Sequence, residues 1–496
     1  SEHRMAQGRL ASESLVPEVN LPTELGQDLV RQNPWWSDKP LPLVPSFRRW
    51  PYEKLRERLA RPIAPILVIR GPRQIGKTTL QLQVIQSLLQ EGVAPTRILR
   101  VQFDDLPSLL HAKFEEPILR MVDWFEQAVL GRTLNESAHR HEPAFLFLDE
   151  VQNLAAWDVQ LKSLVDHSTA QVMVTGSSAL RIGMGRDSLA GRIHSLAVGP
   201  LRLAEISALR EFGDLRPFQS ENGWKDWLKP EFWRDLASHA AGQSAILRRT
   251  FAAFSERGAY PLAQVHSEVP WEDIAGQLNE TVVKRVIEHD LRIGERGRKR
   301  DQQLLEEVFR MSCRYIGQSP NPATLAREAK GALNANIGSQ RIRHYMDFLD
   351  GSLLLRAIQP LEIRNKKRRG YSKLCLCDHA IRAAWLQESI PLDRESLDRA
   401  PHLHDLAGHI AESTAGYFLA SLAGPSIAHL PERGGVPEVD FILTIGEHRI
   451  PVEIKYRRVI DSLRDTIGLR VFMEKAVNNA PFGLLVTRDD APAVAD

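Results

Sequence analysis

A chain of 496 residues is too long for one hydrophobic core and, at roughly 150 residues per domain, implies about three units. With 43% hydrophobic and 25% charged residues it has the composition of a folded globular protein, which excludes wholesale disorder. A net charge of +2, from 64 basic and 62 acidic residues, leaves any attraction to nucleic acid to local patches, and three cysteines exclude a disulfide framework.

No apolar run approaches the ~20 residues that span a bilayer, and residues 1–10 lack the apolar stretch of a signal peptide, so the expectation is a cytoplasmic chain with no membrane partner.

Residues 1–60 are rich in proline and tryptophan (Asn33-Pro34-Trp35-Trp36, then Pro40, Pro42 and Pro45) and are expected to form an extended arm ending in a short helix over 51–59. The tandem tryptophans are expected to anchor the arm on the next domain, with a clamp on a partner as the alternative. From Pro65 short apolar runs alternate with helical periods. Ile66-Leu67-Val68-Ile69, the run 98–103, Phe145-Leu146-Phe147-Leu148 and Gln171-Val172-Met173-Val174 predict four buried strands of a parallel α/β sheet within 61–203.

Residues 204–300 read as a helical region or lid. Within 301–395 the text predicts helices over 322–331 and 339–350, then strands over 353–359 and 371–376, the order of a winged helix-turn-helix. The last block, 400–496, runs helix, strand, strand, strand, helix, strand, a second small α/β unit.

Gly71-Pro72-Arg73-Gln74-Ile75-Gly76-Lys77-Thr78-Thr79 matches the G-x-x-x-x-G-K-[ST] pattern and lies between a predicted strand and a helix. Such a loop curls backbone N–H groups around phosphates; Lys77 supplies charge to the β/γ-phosphates of ATP and Thr78 a hydroxyl to Mg2+. The third strand ends in Asp149-Glu150, which gives Asp149 as the magnesium partner and Glu150 as the general base that activates water. The fourth ends in Thr175-Gly176-Ser177-Ser178, where Ser177 is placed to sense the γ-phosphate, with a structural turn as the equal alternative. Arg192 and Arg186 are expected to reach a phosphate across a subunit boundary, with solvated surface arginines as the alternative.

In the tail, Asp440 lies on one strand and Glu453-Ile454-Lys455 on the next, where side chains two apart share a face. Carboxylates that hold magnesium beside an amine suit phosphodiester hydrolysis and are similar to the PD-(D/E)xK nuclease pattern, with Glu412 on the preceding helix as a further acid and Tyr456, Arg457 and Arg458 near a phosphate backbone. Metal ligation is therefore expected from Thr78 and Asp149 in one site, and from Glu412, Asp440 and Glu453 in the other. Basic residues expected to meet DNA are Arg364, Lys366, Lys367, Arg368, Arg369 and Lys373 on the wing, with Arg341 and Arg343 on the second helix. A second cluster, Arg292, Arg296, Arg298, Lys299 and Arg300, is diluted by Glu295 and Asp301. Cys375 and Cys377 are too close together for zinc and read as buried strand residues.

On the strength of Gly71 to Thr79, Leu148-Asp-Glu-Val-Gln152, Thr175-Gly-Ser-Ser178, Leu189-Ala-Gly-Arg192, Glu438-Val-Asp-Phe441 and Glu453-Ile-Lys455, the chain resembles a broad bacterial and archaeal family of AAA-type ATPases with a restriction-endonuclease-like C-terminal domain. Over roughly residues 45–490 the resemblance implies an α/β fold with a P-loop AAA-type core, a helical lid, a winged helix and a PD-(D/E)xK-like tail. The leading expectation is a DNA-dependent ATPase motor, a homo-oligomer with a hexamer among the options, acting on duplex or branched DNA. The alternatives are an ATP-gated endonuclease and a nucleotide-dependent signalling or scaffold switch.

Overall fold

The computed structural model describes residues 21–111, 114–177, 189–219, 224, 226–290, 299–362 and 370–488. Its first sheet contains β1 (Ile66–Arg70), β2 (Ile98–Gln102), β3 (Phe145–Asp149), β4 (Gln171–Gly176) and β5 (Ile193–Ala197), all parallel, in the order β2-β3-β4-β1-β5. Both faces are covered, so the strands read as continuous apolar runs. Alternate residues divide between two cores: Leu67, Ile69, Phe147 and Met173 enter one, and Ile66, Val68, Leu146, Leu148, Val172 and Val174 the other. β5 is an addition to the four expected strands. It carries His194 and Ser195 and is half-buried along most of its length, which hides it from a search for apolar runs.

From residue 21 onward the arm is more regular than the sequence implies. Thr23–Gln32 is a helix that buries Leu25 and Leu29, four residues apart and hence on one face. The chain then seals the open edge of β2. Asn33 Nδ2 donates to Arg100 O at 2.8 Å while Arg100 N donates to Asn33 Oδ1 at 2.7 Å, and Gln32 makes the same exchange with Gln102 at 3.1 and 2.8 Å. These side-chain amides stand in for a neighbouring strand on an edge that would otherwise expose unpaired backbone groups. Trp35 and Trp36 follow, both indole N–H groups donating to Ile98 O, so the tandem tryptophans pack on the sheet.

Helices Leu203–Leu209, Pro230–Ala241, Ser244–Arg257 and Trp271–Leu278 lead into Lys299–Arg314, Pro322–Leu333 and Ser339–Gly351. An antiparallel pair follows, β6 (Leu355–Ile358) with β7 (Lys373–Leu376). The last unit begins with the helix His404–Ser421, continues through β8 (Ser426–Leu430), β9 (Val439–Ile445) and β10 (His448–Lys455), and ends with the helix Ile467–Glu474 and β11 (Leu484–Thr487). Its sheet order is β11-β10-β9-β8, with β9 antiparallel to both neighbours and β11 parallel to β10. Among the described residues no helix is long and apolar enough to cross a membrane.

Candidate functional site

The first cluster sits at the carboxyl ends of β1, β3 and β4, where a parallel sheet with helices on both faces leaves a crevice. The loop from Gly71 leaves β1 and turns into the helix Lys77–Gln90. Two glycines are obligatory there. A Cβ on Gly71 would lie 2.1 Å from the Val198 carbonyl oxygen, and Gly76 has φ +94°. Lys77 is buried, and its ammonium donates to Gly71 O at 3.0 Å and Pro72 O at 2.6 Å, so a cation lies against the curled backbone.

Asp149, fully buried at the end of β3, accepts from the Thr78 hydroxyl at 2.8 Å, from Arg100 Nη2 at 3.1 Å and from the Thr175 hydroxyl. Burial raises its carboxyl above the ordinary value although Arg100 opposes the shift. Thr78 and Asp149 thus face each other as hard oxygen donors, a set that fits magnesium. Glu150 follows with φ +54°, a left-handed backbone that costs a non-glycine residue of order 1–2 kcal/mol and turns its side chain toward β4. Its Oε2 accepts from Ser177 Oγ at 3.2 Å and from Gln152 Nε2, which also donates to Ser177 Oγ at 3.1 Å. Burial pushes Glu150 up, but Lys77, Arg73 and these hydrogen bonds outweigh it and hold the carboxyl below its ordinary value, ionised at neutral pH.

Three residues around this cluster were given no role from the sequence. Arg100 comes from the middle of an apolar strand and pairs with Asp149. Gln152 lies two residues past Glu150, a spacing visible in Asp149-Glu-Val-Gln152. Arg49, from the arm, is buried and donates to the P-loop carbonyl of Ile75 at 2.6 Å and to both oxygens of Glu205.

Arg192 bonds Asp166 of its own chain at 2.6 and 3.0 Å, away from the Thr78–Asp149 pair in its hydrogen bonding. Arg341 and Arg343 are exposed on the helix Ser339–Gly351. Ser178, Arg186, Arg292, Arg296, Arg298, Arg364, Lys366, Lys367, Arg368 and Arg369 lie outside the described residues.

The expectation that Lys373 meets DNA is corrected. It is fully buried in β7, and its ammonium donates to Glu412, to Glu438 Oε1 at 3.1 Å and to Asp440 Oδ1 at 3.3 Å. Burial pulls its pKa down, yet the carboxylates of Glu412, Asp440 and Glu438 outweigh that and hold it charged, above the usual lysine range. Glu412, Glu438 and Asp440 offer oxygens within 4.8 Å of one another. Glu453 is outside that trio: its Oε1 accepts from Lys455, while burial and the charge of Asp440 lift it to about 7. Glu438 had a legible signal, being two residues before Asp440 and so on the same face of the chain entering β9.

A family model described as an AAA domain matches residues 64–207, the block that carries β1 to β5, and a model described as a domain of unknown function (DUF8612) matches residues 248–390. The second match runs across the division expected at residue 300. An uncharacterized protein of Methanocaldococcus jannaschii is 24% identical over 409 residues, covering 80% of this chain and 77% of that protein. One of Haemophilus influenzae is 22% identical over 309 residues, covering 62% of this chain and 65% of its own length. Domain III of the Thermotoga maritima replication initiation protein DnaA aligns over 43% of this chain and 96% of its own, at 15% identity and a TM-score of 0.22, a likeness too slight to carry a shared architecture.

Proposed function

We propose that the block matched by the AAA-domain model, residues 64–207, hydrolyses ATP with magnesium, and that the rest of the chain directs this hydrolysis to DNA. The observation that carries the first part is the convergence of Lys77, Thr78, Asp149, Glu150 and Ser177 at the ends of β1, β3 and β4. The loop from Gly71 to Thr79 cradles the phosphates. Thr78 and Asp149 hold magnesium, which neutralises charge on the phosphate oxygens. Glu150 is ionised and takes the proton of the attacking water, while Gln152 and Ser177 fix its carboxylate. In this reading the protein is a homo-oligomer, in which Arg192 leaves its own Asp166 and reaches the phosphates of a neighbouring subunit.

The DNA reading is supported by the order of three helices followed by β6 and β7, which suits a winged helix, and by exposed Arg341 and Arg343 on the third helix. Arg364 and residues 366–369 fall between β6 and β7 in sequence, where a wing would meet a phosphate backbone. In this reading the protein is a motor that remodels or translocates duplex or branched DNA. Steady-state ATP hydrolysis without DNA and with linear duplex, single strand and a four-way junction tests it, with Glu150→Gln as control. Stimulation by duplex or junction that vanishes in the control is expected. Equal rates on every DNA would reject the motor and favour a nucleotide-dependent switch.

A further inference from the structure

Lys373 occupies the centre of the carboxylate trio. An ammonium has three N–H donors, and here each oxygen partner belongs to a different acid: Glu412 on the helix His404–Ser421, Glu438 at the entrance to β9, and Asp440 within β9. The Phe441 ring lies 5.1 Å from the same Nζ and closes a further side with its negative π face. The second oxygen of Asp440 is also taken, accepting from Ile454 N at 2.7 Å.

The strand that delivers this lysine is fixed. Leu374 N donates to Gln318 O at 2.9 Å, Gly317 N donates to Leu374 O at 2.7 Å, and Leu376 N donates to Ser413 Oγ at 2.9 Å. The helix bearing Glu412 presses on β7 so closely that a Cβ on Gly416 would fall 2.5 Å from Cys375 Sγ and 2.6 Å from the Phe441 ring. Lys373 is therefore built into the cluster from below, with its backbone held on both sides. The trio has the hard oxygen chemistry of a magnesium or manganese site, but its central position already holds a cation, so these residues do not fit a bound divalent ion.

We propose that Lys373 is the resident cation of this cluster, standing where a divalent metal would sit, so that the C-terminal unit binds no metal between Glu412, Glu438 and Asp440. The ammonium instead joins β7 of the preceding helical unit to the last sheet. A buried charge of this kind is costly to leave unpaired, which makes the link specific: the three acids need a cation, and the fold provides one from its own chain.

Mn2+ binding to the nucleotide-free 496-residue chain, followed by electron paramagnetic resonance of the free ion, tests this on the wild type, Asp440→Asn, Lys373→Met and the double variant. The contribution of Thr78 and Asp149 is common to all four and cancels. Wild type and Asp440→Asn are expected to bind Mn2+ alike. Lys373→Met is expected to gain one site, at least tenfold tighter than any tail site in the wild type, and the double variant to lose it. A wild-type Mn2+ site that Asp440→Asn removes would overturn the proposal, as would a folded Lys373→Met protein with no added site. If circular dichroism shows that Lys373→Met does not fold, the comparison of wild type with Asp440→Asn decides alone.

Discussion

Arg49 and Glu205 form a buried two-point ion pair, Nε and Nη2 of the arginine donating to the carboxylate at 2.9 and 3.0 Å. Glu205 also accepts from Trp50 N at 3.2 Å and from Arg202 N at 2.9 Å, so its four acceptor sites are used. Because Nη1 of the same arginine holds Ile75 O, this one side chain ties together the arm, the P-loop and the helix Leu203–Leu209. Removing one partner of a buried pair leaves the other charge stranded, at a cost of about 3–5 kcal/mol. Arg49→Ala is expected to lower the melting temperature of the AAA-type block by several degrees and to weaken ATP binding at least tenfold. Scanning fluorimetry with and without ATP reads both, and an ATP-induced shift equal to wild type would show that Arg49 does not hold the loop.

Gln152 touches Glu150 and Ser177 together, which makes it a positioning residue for the proposed base. Gln152→Ala leaves the P-loop intact, so ATP affinity should stay within about twofold of wild type. The turnover number should fall about tenfold, equivalent to ~1.4 kcal/mol of transition-state stabilisation, whereas Glu150→Gln should lose 10² or more. A Gln152→Ala protein that loses affinity and keeps its turnover number would assign the glutamine to nucleotide binding instead.

Much of this arrangement is legible in the sequence, and the illegible parts share a cause. The runs at Ile66, Ile98, Phe145 and Gln171 announce β1 to β4 because both faces of a parallel strand are buried, and the glycine spacing announces the loop. β5 is silent because half of it faces outward. The helix Thr23–Gln32 hides between Pro22 and Pro34, where proline punctuation outweighs the Leu25 and Leu29 repeat. Lys373 is the clearest case. Beside Lys366 to Arg369 it reads as one more wing charge, and only partners 39, 65 and 67 residues further on make it a core residue. Arg100 and Arg49 escape in the same way, since a buried charge is recognised by its partner and the partner is remote in sequence.

Arg100 gives the fully buried Asp149 its positive neighbour. Arg100→Met keeps the volume and the strand but leaves Asp149 buried beside Glu150 with only hydroxyl donors. The uncompensated carboxylate is disfavoured in its charged form, the form magnesium requires. The Mg2+ concentration for half-maximal ATP hydrolysis is expected to rise about tenfold; a decrease would mean that the arginine competes with the metal.

His429 makes the last unit sensitive to acid. It is fully buried in β8, its Nε2 lies 2.7 Å from Tyr371 O, and burial together with the charge of Lys373 lowers its pKa from 6.5 to about 4. The folded protein therefore keeps the ring neutral where the unfolded chain would protonate it. Stability from this group is complete above the unfolded pKa and is lost as pH falls from about 6.5 toward 4, because the unfolded state binds more protons throughout that window. At pH 5 the loss amounts to ~2 kcal/mol. His429→Gln retains a donor for Tyr371 O and cannot titrate, so its stability deficit relative to wild type should shrink between pH 7.5 and 5. Chemical denaturation monitored at both pH values measures that difference, and a constant gap would mean that His429 is protonated in the folded state.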